Sequence, residues 1–186
     1  MLANKTSEKV VLPLAVISYP KFIPNPPEMI AVMRAKYPKL TYPKFAPHFT
    51  FIFPQASLSE DVLVQHVRET AAGQSAIPFT IRCTLPMRET FSENIYLFLV
   101  PDEGFSAIVR LHDRLYSGAL AGELRLDIPF IPHITVGYTP DVAYCKQAVE
   151  TWNEQPFEIA GVLNTLDVLQ VEGETGQTVA RINLES

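Results

Sequence analysis

Apolar and polar positions follow two different periods along the chain, and these divide it into short strands and helices. Apolar runs or two-residue alternation predict strands, and apolar residues spaced three or four apart predict helices. The strands predicted in this way span residues 10–19, 47–53, 77–85, 94–100, 131–138, 157–162, 166–172 and 178–184. The predicted helices span residues 28–37, 59–72, 103–117 and 140–153. This mixture, without strict alternation of helix and strand, favours an α+β fold with antiparallel sheets.

Composition and charge narrow the class of protein. The chain has 186 residues, of which 47% are hydrophobic and 19% charged, and its mean hydropathy is +0.11. These values are typical of a globular chain with enough apolar material for a sizeable core. The net charge is −5 and the pI about 5.4. Proteins that grip long duplexes through many phosphates usually carry a basic excess, so this balance argues against extended duplex binding.

Cysteine usage and the N-terminal apolar run predict a cytoplasmic protein. The two cysteines, Cys83 and Cys145, lie far apart and form no CxxC pattern, which fits a reduced intracellular protein and gives no metal-site signal. The apolar run VVLPLAVISY is too short to span a bilayer, and its flanks do not resemble a signal peptide. We therefore interpret the run as a buried strand.

A six-residue pattern occurs twice and carries the candidate chemistry. Residues 45–50 read FAPHFT and residues 130–135 read FIPHIT, so both copies follow F-x-P-H-φ-T, where φ is apolar. The copies lie 85 residues apart in a chain with four histidines, and each continues as a predicted strand towards a helix. This duplication indicates two related lobes, each of which supplies one histidine and one threonine.

Strand geometry predicts where these side chains point. Because strand side chains alternate between faces, His48 and Thr50 share one face of their strand, and His133 and Thr135 share one face of theirs. If the lobes face each other, two imidazoles and two hydroxyls meet in one cleft. Gly137 falls on the same face and is expected to leave room for a ligand. The opposite faces are expected to supply core through Phe49, Phe51, Phe53, Ile134, Val136 and Tyr138.

Two imidazoles and two hydroxyls suit displacement at phosphorus. A histidine titrates near pH 6.5, so one ring can act as a base while the other acts as an acid. Each such group contributes roughly 10²- to 10⁴-fold to the rate. Threonine hydroxyls can donate hydrogen bonds to the non-bridging oxygens, where negative charge develops. No carboxylate cluster lies near either histidine in the sequence, so no metal is expected.

The doubled motif closely resembles the paired signature of the 2H phosphoesterase superfamily, which includes the 2′-5′ RNA ligase-like proteins and cyclic phosphodiesterases. The resemblance implies a single bilobal α+β domain over residues 1–186, with outer helices, pseudo-twofold symmetry and a central cleft. It implies hydrolysis or ligation at a 2′,3′-cyclic phosphate or 2′-5′ linkage of a nucleotide or RNA end, without metal or cofactor. By motif match, His48 and His133 would be catalytic, and Thr50 and Thr135 would bind substrate.

Two other functions remain open at this point. The same cleft suits a protein that binds a phosphate or an RNA end without turnover. A zinc enzyme using His48 and His133 is a third possibility, although the sequence offers no further ligands. Sequence also leaves open which histidine is the acid, the physiological substrate and the oligomeric state, for which we favour a monomer.

Several further residues carry weaker expectations. Arg34, Lys36, Lys39 and Lys44 form a basic stretch that would attract phosphate or simply face solvent. Tyr42 and Phe45 within it would stack on a base or pack in the core. Arg82 and Arg88 flank a predicted strand within reach of a phosphate, and Tyr19, Lys21 and Phe22 follow the first strand at a plausible cleft rim. His66 and His112 lie in predicted helices and are expected to be structural or exposed.

Overall fold

A computed structural model of the 186-residue chain describes residues 12–24, 27–88 and 90–185. The strands are β1 (Leu14–Ser18), β2 (Lys21–Ile23), β3 (Phe49–Gln55), β4 (Ile77–Arg88), β5 (Ile95–Glu103), β6 (Ile134–Thr139), β7 (Ile159–Leu163), β8 (Thr165–Glu172) and β9 (Thr175–Asn183). The helices are α1 (Pro27–Lys36), α2 (Glu60–Ala71), α3 (Phe105–Leu115) and α4 (Val142–Asn153), with a 3₁₀ helix at Gly118–Glu123. The start of the strand predicted at 10–19 lies outside the described residues.

The strands form two antiparallel sheets, which are the two lobes expected from the sequence. The first sheet has the order β3-β1-β8-β9, and the second has the order β2-β7-β4-β5-β6. Each pair of neighbouring strands runs antiparallel. The fold is therefore α+β, as predicted.

The order of elements along the chain repeats, and the repeat explains the pseudo-twofold symmetry. The first half runs β1, α1, β3, α2, β4, and the second runs β5, α3, β6, α4 and then the closing strands. In each half the third element is an edge strand, β3 or β6, that pairs with the first, β1 or β5. Strand β4 of the first half then joins β5, and strand β8 of the second half joins β1. The halves thus exchange strands, which ties the two lobes together.

Apolar stripes on the helices bury against the sheets. Helix α2 buries Leu63, Val67 and Ala71, and one cluster of buried side chains draws on both sheets and all four α-helices. Each fully buried Leu or Val contributes roughly 1.5–3 kcal/mol. A shared core is what a single domain requires, and one domain over residues 1–186 stays a prediction. In the described part of the chain, no helix is long and apolar enough to cross a membrane.

Helix α3 is preceded at its N-cap by a glycine that no other residue can easily replace. Gly104 has φ of 83°, and a Cβ there would lie 2.5 Å from the carbonyl oxygen of Pro78. Both the left-handed backbone and the close approach of β4 require glycine. The position fixes where β5 ends and α3 starts.

Observed element ends differ from the sequence pattern in identifiable places. The pattern does not predict β2, which has three residues, or the 3₁₀ helix, because both are too short to show a period. The strand predicted at 131–138 begins only at Ile134, after the second motif's histidine. Strand β3 continues through Pro54 to Gln55, which an edge strand tolerates because proline costs no ladder bond there.

Candidate active site

The two motifs occupy equivalent places at the edges of the two sheets. His48 immediately precedes β3 and His133 immediately precedes β6, while Thr50 and Thr135 are the second residues of those strands. A cavity of about 290 Å³ is lined by Thr50, His133 and Thr135 together. His48 does not line this cavity, but its charge acts on His133, so the two rings lie within electrostatic reach of each other.

Both histidine rings are held by the same local hydrogen bond. Nδ1 of His48 lies 2.8 Å from the carbonyl oxygen of Ala46, and Nδ1 of His133 lies 2.6 Å from that of Ile131. A carbonyl oxygen only accepts, so Nδ1 carries the proton and donates, and Nε2 keeps a free lone pair in the neutral ring. The residue between carbonyl and histidine is proline in both copies, and its fixed φ helps to set this local geometry.

Aromatic rings surround each histidine. The ring of His133 stacks on that of Phe98, with centroids 3.5 Å apart and planes at 16°. The ring of His48 lies 6.1 Å from that of Tyr19 and 5.6 Å from that of Phe45. These contacts shield part of each imidazole from water, and both histidines are half-buried.

Burial makes both imidazoles less basic. The pKa of His133 falls to about 4 because burial disfavours the cation, with a smaller lowering by the charge of His48. The hydrogen bond to Ile131 acts in the opposite direction. Burial also lowers the pKa of His48, and the bond to Ala46 partly offsets this. Both rings are therefore neutral at neutral pH, whereas the ordinary histidine pKa near 6.5 allows one of them to be charged. A bound anion stabilises the imidazolium form and acts against this lowering.

The rest of the cavity wall is aromatic and carries one cation. Five rings line it, those of Phe53, Phe91, Tyr96, Phe98 and Phe130. Arg88 also lines the cavity, with a half-exposed side chain and an ion pair of 3.5 Å to Glu93. The expectation that Arg88 reaches a ligand site is consistent with its position, whereas the aromatic wall is not recognisable from the sequence.

Phe53 corrects one expectation about strand faces. Simple alternation assigns Phe53 to the core together with Phe51, but Phe53 is half-buried and lines the cavity. The cause is an irregular register between β1 and β3, where Ile17 faces Thr50 while Val16 faces Ile52. Such bulges rotate the following side chains relative to the ladder. Tyr138 is likewise half-buried, and its ring lies 5.1 Å from that of Tyr96, which lines the cavity.

Gly137 corrects a second expectation. A Cβ at this position would lie 3.1 Å from the carbonyl oxygen of Thr41 and 3.2 Å from the ring of Tyr42. Thr41 and Tyr138 exchange two backbone hydrogen bonds of 2.8 and 2.9 Å. The glycine therefore makes room for the segment that leads into the first motif, and not for a ligand.

The basic stretch is occupied by internal contacts. Arg34 lies over the ring of Tyr42, Lys36 over that of Tyr37 and Lys39 over that of Tyr144. Lys44 forms an ion pair of 2.9 Å with Glu174 at the turn between β8 and β9. Tyr42 packs against Gly137, and Phe45 packs against Gly176. These partners favour a packing role for the stretch over a phosphate rim.

Arg82 is also engaged elsewhere. Its guanidinium contacts the carboxylates of Asp102, Glu103 and Glu158 at 2.8, 2.8 and 3.0 Å. Three anionic partners hold it in place, so it does not act as a free phosphate ligand. Phe22 packs on Phe79, with ring centroids 6.3 Å apart, and Lys21 is exposed on β2. Of these three residues, Tyr19 is the one whose ring contacts His48.

The remaining histidines have structural contacts, in agreement with the sequence-based expectation. His66 hydrogen-bonds through Nε2 to the carbonyl oxygen of Leu115 and so links α2 to α3. His112 is buried, and its Nδ1 donates to the carbonyl oxygen of Phe51 at 2.9 Å. It also stacks on Phe130, a cavity residue, at 3.5 Å and 4°. Within the described residues, no group of three or more His, Cys, Asp or Glu is placed to hold a metal ion.

Comparison with known proteins gives a family match. A family model described as the 2′-5′ RNA ligase superfamily matches residues 23–175. Among solved structures, E. coli LigT complexed with NADP⁺ superposes with a TM-score of 0.60 at 18% identity, covering 94% of this chain and 99% of the other. E. coli LigT complexed with 3′-AMP gives 0.57 at 18%, covering 95% and 99%. Usb1 of Kluyveromyces marxianus with uridine monophosphate gives 0.52 at 11%, covering 96% and 100%. No curated protein matches.

Proposed function

Because the chain belongs to the 2′-5′ RNA ligase superfamily, we propose that it is a metal-independent phosphoesterase. Its substrate is a 2′,3′-cyclic phosphate or a 2′-5′ phosphodiester of a nucleotide or RNA end. The observation that carries the proposal is the matched pair of histidines. Each donates from Nδ1 to the carbonyl two residues earlier and keeps Nε2 for chemistry, at the edge of a different sheet.

The histidines act as acid and base. One neutral imidazole takes a proton through Nε2 from the attacking water or hydroxyl, whose oxygen then bonds to phosphorus. The other, protonated at Nε2, gives its proton to the leaving oxygen as the second phosphorus–oxygen bond breaks. The substrate's negative charge favours protonation of one ring and so offsets the pKa lowering caused by burial. The pair exchanges roles when the reaction runs in the direction of ligation.

The threonines stabilise the negative charge that develops on the non-bridging phosphate oxygens. Thr50 and Thr135 line the cavity beside His133, on equivalent strands. Their hydroxyls donate to the two non-bridging oxygens, where negative charge increases in the transition state. Their fixed positions on strands provide this stabilisation without reorganisation.

The nucleoside occupies the aromatic part of the cavity. A volume of about 290 Å³ is close to the lower end of typical small-molecule sites, roughly 300–1,000 Å³. Flat rings such as Phe91, Phe130 and Tyr96 suit base stacking, and Arg88 supplies positive charge. Solved structures of LigT complexed with 3′-AMP and of Usb1 with uridine monophosphate support a nucleotide ligand. Two cysteines without a disulfide, Cys83 and Cys145, fit our proposal of a cytoplasmic enzyme.

The direct test is turnover of adenosine 2′,3′-cyclic phosphate and of RNA with a cyclic-phosphate end, each in EDTA. We expect turnover by the native chain and its loss in His48→Ala and His133→Ala. The matched control is His66→Ala, which removes a structural imidazole and is expected to retain activity. Binding without turnover in the native protein would instead favour a phosphate- or RNA-end-binding protein, and inhibition by EDTA would favour a metal enzyme.

A further inference from the structure

A row of side chains crosses the first sheet from Thr50 to its far edge. The register places Ile17 opposite Thr50 on one side and opposite Asp167 on the other, and Asp167 opposite Arg181. Residues directly opposite each other in antiparallel strands point to the same face. Arg181, on edge strand β9, therefore shares its face with the threonine of the first motif.

The neighbourhood of His48 places Arg181 on the histidine side of the sheet. Tyr19 contacts the ring of His48 and lies two residues after Ile17. Burial raises the pKa of the Tyr19 phenol, the charge of Asp167 raises it further, and the charge of Arg181 lowers it. Tyr19 thus lies within electrostatic reach of both charged residues. Tyr19 is therefore a neighbour of both His48 and the Asp167–Arg181 pair.

Arg181 is held so that part of its guanidinium stays available. Its Nε donates to a carboxylate oxygen of Asp167 at 2.7 Å, and Asp167 is fully buried while the Arg181 side chain is 58% exposed. Within residues 12–24, 27–88 and 90–185, neither Nη nitrogen of Arg181 has a hydrogen-bond acceptor. A fixed guanidinium with an open edge matches the geometry of a phosphate.

From this arrangement we infer that Arg181 is a second anion subsite, which takes a phosphodiester of an RNA strand whose cyclic-phosphate end reacts at His48 and His133. The inference rests on the proposed function and specifies its substrate as an oligonucleotide. Asp167 is the positioning residue, because it orients the guanidinium and contacts no ligand itself. The subsite lies outside the aromatic cavity, whose lining includes neither Tyr19 nor Arg181.

The distance between Thr50 and Arg181 sets how long an RNA strand must be to reach the Arg181 subsite. Thr50 and Arg181 are separated by three strand spacings of about 4.8 Å, which gives about 14 Å between their Cα atoms. A stacked strand advances ~3.4 Å per nucleotide along its axis, so roughly four stacked nucleotides, or fewer in an extended strand, cover this span. A mononucleotide bound beside Thr50 spans only part of this distance, so we expect it to gain nothing from Arg181.

The test compares oligoadenylates of one to five nucleotides, each ending in a 2′,3′-cyclic phosphate. For the native enzyme, kcat/KM is expected to rise with length and then level off. Arg181→Gln removes this rise, a loss of about tenfold for the longer strands, and leaves the mononucleotide unchanged. Arg68→Gln, which removes an exposed arginine from α2, keeps the rise. Arg181→Lys retains the positive charge without the forked donors of a guanidinium, and should give a rise in kcat/KM between those of the native enzyme and Arg181→Gln.

Two additions keep the test decisive if folding or turnover fails. The double variant Asp167→Asn/Arg181→Gln avoids an unpaired buried carboxylate, so it removes the subsite without that source of instability. Binding of a fluorescent tetra-adenylate with a 3′-phosphate, measured by anisotropy, needs no catalysis. It should weaken about tenfold in Arg181→Gln, and the salt slope should fall by about 0.7. Equal losses for mononucleotide and strand, no length preference in the native enzyme, or unchanged tetra-adenylate binding would overturn the inference.

Discussion

The imidazole of His133 lies flat on the ring of Phe98, with centroids 3.5 Å apart and planes at 16°. Phe98 is itself buried on β5, so one face of the imidazole contacts protein instead of water. This contact contributes to the burial that lowers the pKa of His133 to about 4. The other ring nitrogen, Nε2, remains available for the proposed chemistry, because Nδ1 is engaged by the carbonyl oxygen of Ile131.

Removal of this ring is expected to make His133 more basic. Phe98→Leu keeps an apolar side chain but opens one face of the imidazole to water, so the pKa of His133 should rise towards 6.5. The measurement is an NMR titration of the imidazole resonances. Phe91→Leu is the control, because it removes an exposed ring of the same cavity. It should leave the pKa of His133 unchanged. An unchanged pKa in Phe98→Leu would mean that other groups cause the burial.

The pH dependence of catalysis should reflect two weakened bases. The active form of the free enzyme has one proton on the histidine pair, and its population peaks between the two apparent pKa values. Burial lowers the pKa of both His48 and His133 below the ordinary histidine value of about 6.5. The profile of kcat/KM should therefore peak below pH 6.5. The profile of kcat should peak at higher pH, because bound phosphate raises both values. A maximum of kcat/KM above pH 7 would contradict this electrostatic account.

Stability should also depend on pH through His133. Its folded-state pKa of about 4 lies below the unfolded value of about 6.5, so the unfolded chain binds the proton more readily. The contribution of His133 to the free energy of unfolding should be constant above pH 6.5, fall as the pH drops towards 4, and then level off. His133→Asn should flatten this segment of a stability curve measured by urea unfolding. An equally steep curve in the variant would assign the effect to the other two histidines whose pKa burial lowers, the half-buried His48 and the buried His112.

Gly137 should be required for the close packing of the Thr41–Tyr42 segment against β6. An added Cβ meets the Thr41 carbonyl at 3.1 Å and the Tyr42 ring at 3.2 Å, so Gly137→Ala forces the Thr41–Tyr138 backbone pair apart. Overpacking of this kind costs about 1–3 kcal/mol. Urea unfolding measures the loss, and Gly122→Ala, whose Cβ meets nothing within 4 Å, serves as control. Equal stability of the two variants would show that the segment at Thr41 yields without cost.

What the sequence predicts well is local in origin. The histidine geometry depends on a carbonyl two residues earlier and on the intervening proline, so the motif itself specifies it. The strand and helix periods likewise come from neighbouring residues, and the predicted α+β fold with two lobes is confirmed. The assignment of Thr50 and Thr135 to substrate binding stays a prediction, although both line one cavity with His133.

What the sequence does not predict depends on distant partners. Phe53 reaches the cavity because β3 pairs irregularly with β1, and alternation alone assigns it to the core. Gly137 is explained by Thr41, which lies almost a hundred residues earlier in the chain. The ion pair between Asp167 and Arg181 follows from the register of the β8–β9 hairpin, which includes a shift between Val168 and Leu169. In each case tertiary pairing decides the position.

The measurement that tests the central claim most directly is kcat for adenosine 2′,3′-cyclic phosphate in His48→Ala, His133→Ala and the double variant. If the imidazoles act together on one phosphate, each single change lowers kcat by roughly 10²- to 10⁴-fold. The double variant then loses little more than the worse single variant, because a broken pair has no further concerted step to lose. Retained turnover in either single variant, or two small losses that simply multiply in the double variant, would contradict a shared acid–base pair.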